Sequence, residues 1–78
     1  MKLNILTFDK EMLNVSTDKV TLPGKEGEFT VLPSHAKLIA RLKKGEIVYV
    51  QGGDRRIFNL ESGAMAEVKD DMITVLIS

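Results

Sequence analysis

The sequence predicts an all-β protein, a two-layer β-sandwich or flattened barrel of short, mostly antiparallel strands. Short apolar runs alternate with polar or glycine-containing turns, which is typical of an all-β domain. These runs cover residues 2–8, 12–15, 20–22, 29–32, 47–51, 56–60, 65–68 and 72–77. The chain has 78 residues, which is enough for one small domain, so we expect residues 1–78 to fold as a single unit.

The composition excludes several classes of function. No cysteine is present, which rules out disulfides and thiolate metal sites. The 11 Lys and Arg residues balance the 11 Asp and Glu residues, so we expect no general affinity for nucleic acid. Asp9, Lys10 and Glu11 interrupt the N-terminal segment, which therefore is typical of neither a signal peptide nor a membrane span. We expect a cytosol-facing protein with no direct membrane insertion.

The first clear turn signal in chain order is Pro23 followed by Gly24. This pair predicts a type II turn, because Pro presets its own φ and Gly supplies the positive φ that other residues resist. We therefore expect the chain to reverse there. Gly27 is a second position at which the backbone is free to turn.

A short strand is predicted directly after Gly27. Phe29 and Val31 alternate with polar residues, so they are expected to share a buried face while Glu28 points to the opposite, wetter one. Pro33 cannot donate a hydrogen bond to a neighbouring strand, so it ends the strand or lies on a sheet edge, and Ser34 and His35 follow in a loop or at a strand start.

Residues 34–45 fit two structures. A helix is favoured by Ser34 as an N-cap and by apolar residues at helical spacing, namely Leu38, Ile39 and Leu42. A strand is favoured if Leu38, Ala40 and Leu42 form one face, with Gly45 as the turn into the next strand. Periodicity alone favours the helix.

Two hairpins are predicted in the second half of the chain. Gly52 and Gly53 lie between two alternating runs, and they supply the positive φ that a tight hairpin turn requires. Asp70 and Asp71 lie in the turn of the second hairpin, where their side chains can bond nearby backbone amides. The methionines of these and earlier strands, Met12, Met65 and Met72, are predicted to fill the core.

No set of residues predicts catalysis. Ser34 and His35 are sequence neighbours, and neighbours in an extended chain point to opposite faces, so they are badly placed as nucleophile and base. A hydrolase that uses His35 with Glu28 remains the weakest hypothesis, because no oxyanion donors are identifiable. Taken alone, both residues are more often solvated surface residues than functional ones.

The last strand suggests a protein partner. Residues 72–77 are apolar on both faces except at Thr74, and residues 47–50 are similar, whereas each strand of a two-layer sandwich needs only one buried face. A partner that covers the second face is the preferred explanation. This pattern does not distinguish a subunit of a complex from a stand-alone β-sandwich adaptor.

The segment from Leu22 to Ala36 also carries a family resemblance. Its turn and strand residues resemble the N-terminal β domain of the epsilon subunit of F-type ATP synthases, at Leu22, Pro23, Gly24, Glu26, Gly27, Glu28, Phe29, Leu32, Pro33, His35 and Ala36. The similarity runs over nearly the whole chain, from the opening strand at Lys2 and Leu3 to residues 73–76. The resemblance favours the strand over the helix at residues 38–42.

This resemblance implies a function without catalysis or cofactors. An epsilon subunit is part of the central-stalk rotor, on the cytoplasmic side of the membrane, and it links the gamma subunit to the polar loops of the c-ring. The resemblance places Glu28, Ser34 and His35 on the c-ring side. Independently of the resemblance, the sequence predicts structural turn roles for Pro23, Gly24, Gly27, Pro33, Gly45, Gly52 and Gly53.

Several departures from the family pattern qualify the resemblance. Family members often have Pro where this sequence has Lys37 and Lys44, and a second Gly and an aromatic or large apolar residue where it has Ala64 and Met65. Family members usually have Gly where this sequence has Ser34, next to the histidine. Epsilon subunits also commonly continue into a C-terminal helical hairpin that can inhibit ATP hydrolysis, and this sequence ends at Ser78. If this is the complete natural chain, we expect the structural role to apply and the inhibitory role of that hairpin not to apply.

Overall fold

Nine β-strands and no helix make up the protein. The computed structural model describes every residue from Met1 to Ser78. The strands are β1 (Lys2–Leu6), β2 (Glu11–Ser16), β3 (Lys19–Gly24), β4 (Gly27–Val31), β5 (Leu38–Leu42), β6 (Gly45–Gln51), β7 (Asp54–Leu60), β8 (Ala64–Lys69) and β9 (Met72–Ile77). The predicted all-β class is confirmed.

Hydrogen bonds join the strands into one sheet that curls on itself. The order is β2-β1-β9-β8-β5-β3-β6-β7, and β4 pairs with β3. All pairs are antiparallel except β1 with β9. A single residue pair, Gly24 with Leu42, joins β3 to β5. The sheet therefore divides there into a five-stranded layer (β2-β1-β9-β8-β5) and a four-stranded layer (β4-β3-β6-β7).

The core lies between these two layers. It contains 14 buried apolar residues: Leu3, Ile5, Val20, Leu22, Val31, Leu42, Ile47, Tyr49, Leu60, Ala64, Ala66, Val68, Ile73 and Val75. In β8 and β1 buried and less buried residues alternate along the strand, as the period of a pleated strand requires. Fully burying one such Leu, Ile or Val side chain stabilises the fold by about 1.5–3 kcal/mol, so this layer of contacts is the main source of stability.

The predicted turn at Pro23 and Gly24 is wrong. Strand β3 continues through both residues, and the chain reverses two residues later, at Lys25 and Glu26. Pro23 is tolerated in the strand because the pairing of β3 with β6 ends at Thr21 and that with β5 begins only at Gly24. Pro23 still contributes an acceptor, since its carbonyl oxygen accepts the Lys43 N–H at 2.9 Å.

Gly24 is needed for space rather than for positive φ. Its φ lies outside the left-handed region, but a Cβ at this position would collide with the Gly27 carbonyl oxygen and lie 2.9 Å from the Phe29 ring. Gly27 opens β4 with a φ of 136°. Gly45 is the first residue of β6 and contacts Pro23, where an added Cβ would lie 3.0 Å from the proline Cβ.

Residues 38–42 form a strand rather than a helix. β5 pairs with β8 over five residue pairs, from Leu38 with Val68 to Leu42 with Ala64. Leu38, Ala40 and Leu42 face inward and Ile39 faces solvent, as the strand alternative required. The helical spacing in the sequence was therefore incidental, since pairing with β8 decides the conformation.

Both predicted hairpins are present. Gly52 and Gly53 have φ values of 57° and 85°, and Gln51 pairs with Asp54 across them. Two positive φ values in a two-residue loop define a type I′ turn. Asp70 and Asp71 repeat this geometry with φ values of 51° and 60°. Asp tolerates this region better than most residues do.

The predicted burial of the methionines is wrong. Met12, Met65 and Met72 are each exposed over two fifths or more of their surface. Each lies on the outer face of the five-stranded layer, and a more buried neighbour in its strand, Leu13, Ala66 or Ile73, faces inward. This outer face is therefore more apolar than the sequence pattern indicated.

Candidate partner-binding surface

The loop between β4 and β5 carries two of the predicted contact residues. The His35 N–H donates to the Leu32 carbonyl oxygen at 3.2 Å, which closes a turn with Pro33 and Ser34 at its centre. Pro33 ends the strand as predicted, since β4 stops at Val31. Ser34 has a φ of 66°. Pro followed by a residue with positive φ is a type II turn, so the turn type predicted for Pro23 occurs here instead.

The turn is connected to the β8–β9 hairpin. The Ser34 N–H donates to Asp71 Oδ1 at 2.9 Å. The Asp71 carbonyl oxygen in turn accepts the Lys2 N–H at 3.0 Å, at the start of β1. The expected local bonding of the Asp side chains in their own turn is therefore replaced, for Asp71, by a contact with a distant loop.

The His35 side chain is solvent-exposed and bonds locally. Its Nδ1 lies 2.7 Å from the Ala36 carbonyl oxygen. A carbonyl oxygen only accepts, so Nδ1 carries the hydrogen in this contact and Nε2 is left for solvent or a partner. No hydrogen bond joins His35 to the Ser34 hydroxyl, so the structure does not align these two side chains as a base and nucleophile.

Glu28 lies on the outer face of the four-stranded layer. It is exposed on β4, opposite Pro23. With residues of β3, β6 and β7 it lines a shallow hollow of about 250 Å³, formed by Lys19, Thr21, Glu28, Val48, Val50 and Arg55. The side of β4 therefore presents one carboxylate beside two cationic side chains.

Glu28 and His35 lie at opposite ends of β4, and no hydrogen bond joins them. Glu28 is the second residue of the strand, and His35 follows its last residue, Val31, by four positions. The strand segment from 28 to 31 alone spans about 10 Å. A single partner that contacts both residues would have to extend along this edge of the molecule.

The structure also exposes apolar residues that the sequence reasoning did not single out. Leu32 is 52% exposed beside Pro33, and Phe8 is 93% exposed at the turn between β1 and β2. That turn is closed by the Thr7 N–H, which donates to the Lys10 carbonyl oxygen at 2.9 Å, and by the Thr7 hydroxyl, which bonds Asp9 at 2.9 Å. Two features of the sequence could have indicated this exposure. Leu32 precedes a proline that ends a strand, and Phe8 precedes a run of charged residues.

A row of apolar side chains crosses the outer face of the five-stranded layer. Leu6 pairs with Leu76, and Leu76 pairs with Met65. Leu76 and Met65 are both nearly half exposed. This apolar row confirms that the second face of β9 is open to solvent, as its sequence predicted.

No helix with the length and apolar character of a membrane span is present. No group of three or more His, Asp or Glu side chains is arranged to hold a metal ion.

Comparison with known proteins identifies the family. The family model described as the ATP synthase Delta/Epsilon chain, beta-sandwich domain matches residues 1–78. The ATP synthase epsilon chain of Geobacter metallireducens is 40% identical over 78 residues, covering 99% of this chain and 55% of the relative. That of Syntrophobacter fumaroxidans is 42% identical over 76 residues, covering 97% of this chain and 56% of the relative. The chain thus spans little more than half the length of these relatives.

Solved structures agree on the fold. A chain in the cryo-EM structure of the Euglena gracilis mitochondrial ATP synthase, with OSCP, F1 and c-ring, superposes with a TM-score of 0.85 at 24% identity, covering 96% of this chain and 48% of that chain. A chain in the cryo-EM structure of the Tetrahymena thermophila mitochondrial ATP synthase central stalk and c-ring superposes with a TM-score of 0.77 at 16% identity. The match covers 97% of this chain and 61% of that chain. The matched family model and the identity to the bacterial epsilon chains together show that this chain belongs to the delta/epsilon chain family of ATP synthases and consists of its β-sandwich domain.

Proposed function

We propose that the chain acts as the N-terminal domain of an epsilon subunit, a non-catalytic part of the central-stalk rotor of an F-type ATP synthase. In this role it binds the gamma subunit and rests on the c-ring, so that ion-driven rotation of the ring turns gamma. The subunit lies at the cytoplasmic side of the membrane, in a peripheral part of the complex. The observation that carries the proposal is the family match over residues 1–78.

The surface of the domain supports a binding role. Its polar candidates, Glu28 and His35, are exposed and lie at the ends of one strand rather than in a shared cleft. General acid–base or nucleophilic chemistry needs partners within hydrogen-bond reach, and these two make no bond to each other. Contact with other proteins is the function that such a surface fits best.

The apolar row is the proposed contact with gamma. Leu6, Met65 and Leu76 adjoin each other across three strands and leave apolar surface in water. Covering the exposed half of a Leu or Met side chain contributes about 1 kcal/mol. An exposed ion pair contributes about 0.2–1 kcal/mol, so several apolar contacts would outweigh the single carboxylate of Glu28.

A pair of matched substitutions tests the gamma contact. Leu76→Asn removes apolar surface from the row, and Ile57→Asn removes a similarly exposed residue from the outer face of the other layer. We expect Leu76→Asn to weaken gamma binding about fivefold in a calorimetric titration, the factor that corresponds to about 1 kcal/mol, and Ile57→Asn to leave it unchanged. Equal effects of the two substitutions would exclude the row as the specific contact.

Glu28, Ser34 and His35 are the proposed contacts with the c-ring. We expect Glu28→Ala to impair ATP-driven ion pumping of the assembled complex more than it impairs assembly. Glu46→Ala is the control, because Glu46 is also an exposed strand carboxylate of the four-stranded layer. A Glu28→Ala complex that pumps and synthesises ATP normally would remove Glu28 from the mechanism.

Co-purification separates this function from that of a stand-alone adaptor with the same exposed apolar row. Isolation of the tagged chain together with gamma and ring subunits supports the rotor function. Isolation with an unrelated protein and without these subunits contradicts it. Turnover of a small ester by the purified chain that is abolished in His35→Ala would contradict it as well.

A further inference from the structure

One hydrogen bond connects the loop that carries His35 to a distant part of the chain. The Ser34 N–H donates to Asp71 Oδ1 at 2.9 Å, between residues 37 positions apart in sequence. The other hydrogen bonds of residues 32–37 are local, within the loop itself. Asp71 is therefore the sole polar connection between this loop and the rest of the domain.

The turn contains one residue, Ser34, in an unfavourable backbone conformation. Ser34 has a φ of 66°, a region that residues with a Cβ rarely occupy. The Ser34 side chain makes no hydrogen bond of its own that could compensate. The bond from its backbone N–H to a carboxylate favours this conformation, because charge-assisted hydrogen bonds are stronger than neutral ones.

Asp71 is well placed to hold the loop, since its own backbone is fixed on two sides. It lies in the type I′ turn between β8 and β9 with a φ of 60°, and its carbonyl oxygen accepts the Lys2 N–H. Asp70 occupies the other central position of the turn, with a φ of 51°, and its side chain makes no hydrogen bond. The side chains of the two aspartates thus differ in one respect, the contact with Ser34.

We propose that Asp71 is a positioning residue that holds the turn of Leu32, Ser34 and His35 in the geometry used for contact with the c-ring. The part that concerns the c-ring rests on the function proposed above. The part that concerns the loop rests only on the hydrogen bond and on the backbone geometry of its two ends.

Three variants test the positioning role in the purified chain. Asp71→Gly removes the carboxylate, and Gly adopts the positive φ of the turn without strain. Asp70→Gly relaxes the same turn and keeps the carboxylate of Asp71. Asp71→Asn keeps an oxygen that can accept the Ser34 N–H, and Asn also tolerates positive φ.

The measurement is hydrogen exchange of the Ser34 amide by NMR. We expect Asp71→Gly to speed its exchange about fivefold or more, the factor that corresponds to loss of one net hydrogen bond. Asp70→Gly should leave the rate unchanged, and Asp71→Asn should stay within about twofold of the parent. Unchanged exchange in Asp71→Gly, or an equal increase in Asp70→Gly, would overturn the positioning role.

Binding to the isolated c-ring in detergent tests the second part. We expect Asp71→Gly to weaken ring binding roughly threefold to tenfold, because a loosened loop must be ordered again on contact. His35→Ala should weaken it too, and Asp70→Gly should not. Normal binding by Asp71→Gly alongside weak binding by His35→Ala overturns the link from Asp71 to the ring. Normal binding by His35→Ala overturns the proposed contact between this loop and the c-ring. The hydrogen-exchange rates do not depend on the c-ring, so they still test whether Asp71 holds the loop.

Discussion

Substitution of Gly24 by Ala tests the corner at which the two layers join. Gly24 pairs with Gly27 in β4 and with Leu42 in β5, so it is flanked by backbone on both sides. An added Cβ would collide with the Gly27 carbonyl oxygen and lie 2.9 Å from the Phe29 ring. The ring can rotate away, but the carbonyl oxygen can move only if the β3–β4 hairpin shifts.

Two opposing effects set the magnitude. Overpacking of this kind costs about 1–3 kcal/mol. Replacement of Gly by Ala lowers the entropy of the unfolded chain, which stabilises by about 0.4–1 kcal/mol where the backbone conformation is allowed, as the φ of Gly24 permits. We therefore expect Gly24→Ala to lower the free energy of unfolding by about 1–2 kcal/mol. A 78-residue domain has a total of about 4–12 kcal/mol, so the variant should still fold.

Thermal unfolding by circular dichroism measures this effect, and fluorescence of the single tyrosine, Tyr49, reports on the core. The expected loss corresponds to a fall in Tm of roughly 5–15 °C for a domain of this size. Gly63→Ala is the control, because its Cβ would lie at an ordinary 3.5 Å from the Leu42 carbonyl oxygen. We expect the control to unfold at the parent temperature or slightly above it. A Gly24→Ala variant as stable as Gly63→Ala would refute the steric argument.

Three further substitutions have defined outcomes. Ser34→Gly should raise the free energy of unfolding by up to about 1 kcal/mol in urea titrations, because Gly removes the strain at a φ of 66°; a loss of stability would contradict this. Ile73→Ala should lower the free energy of unfolding by about 2–5 kcal/mol, because Ile73 is fully buried. Ile73→Val should lower it by only about 0.5–1.5 kcal/mol, and similar losses for the two variants would contradict tight packing around Ile73. Phe8→Ala should change it by less than about 0.5 kcal/mol, because the side chain is 93% exposed, and a larger loss would mean that Phe8 packs against the domain.

Local pattern predicted most of the strands and their orientation. The alternation in β4 correctly assigned Phe29 and Val31 to the core side and Glu28 to solvent, because side-chain direction in a strand has a strict period of two. The Gly52–Gly53 hairpin was equally clear, since few residues other than Gly form a type I′ turn. The sequence also predicted that the second face of β9 carries apolar residues. Met72 and Leu76 lie on that face and are exposed.

Local pattern failed where another strand decided the outcome. Pro23 and Gly24 have the composition of a type II turn, yet the approach of β4 makes Gly24 a strand residue. The segment of β5 has helical spacing, yet pairing with β8 makes it extended. The same limit applies to the candidate site, where Ser34 and His35 were found from sequence but their connection to Asp71 was not.

The sequence by itself therefore determined the all-β class, the inward side of most strands and the Gly52–Gly53 turn, because each depends on residues within a few positions of one another. The tertiary structure alone decided the parallel pairing of β1 with β9, the outward position of Met65 and the bond between Ser34 and Asp71. These features depend on which distant segments become neighbours, and local hydrophobic period or turn propensity carries no information about that choice.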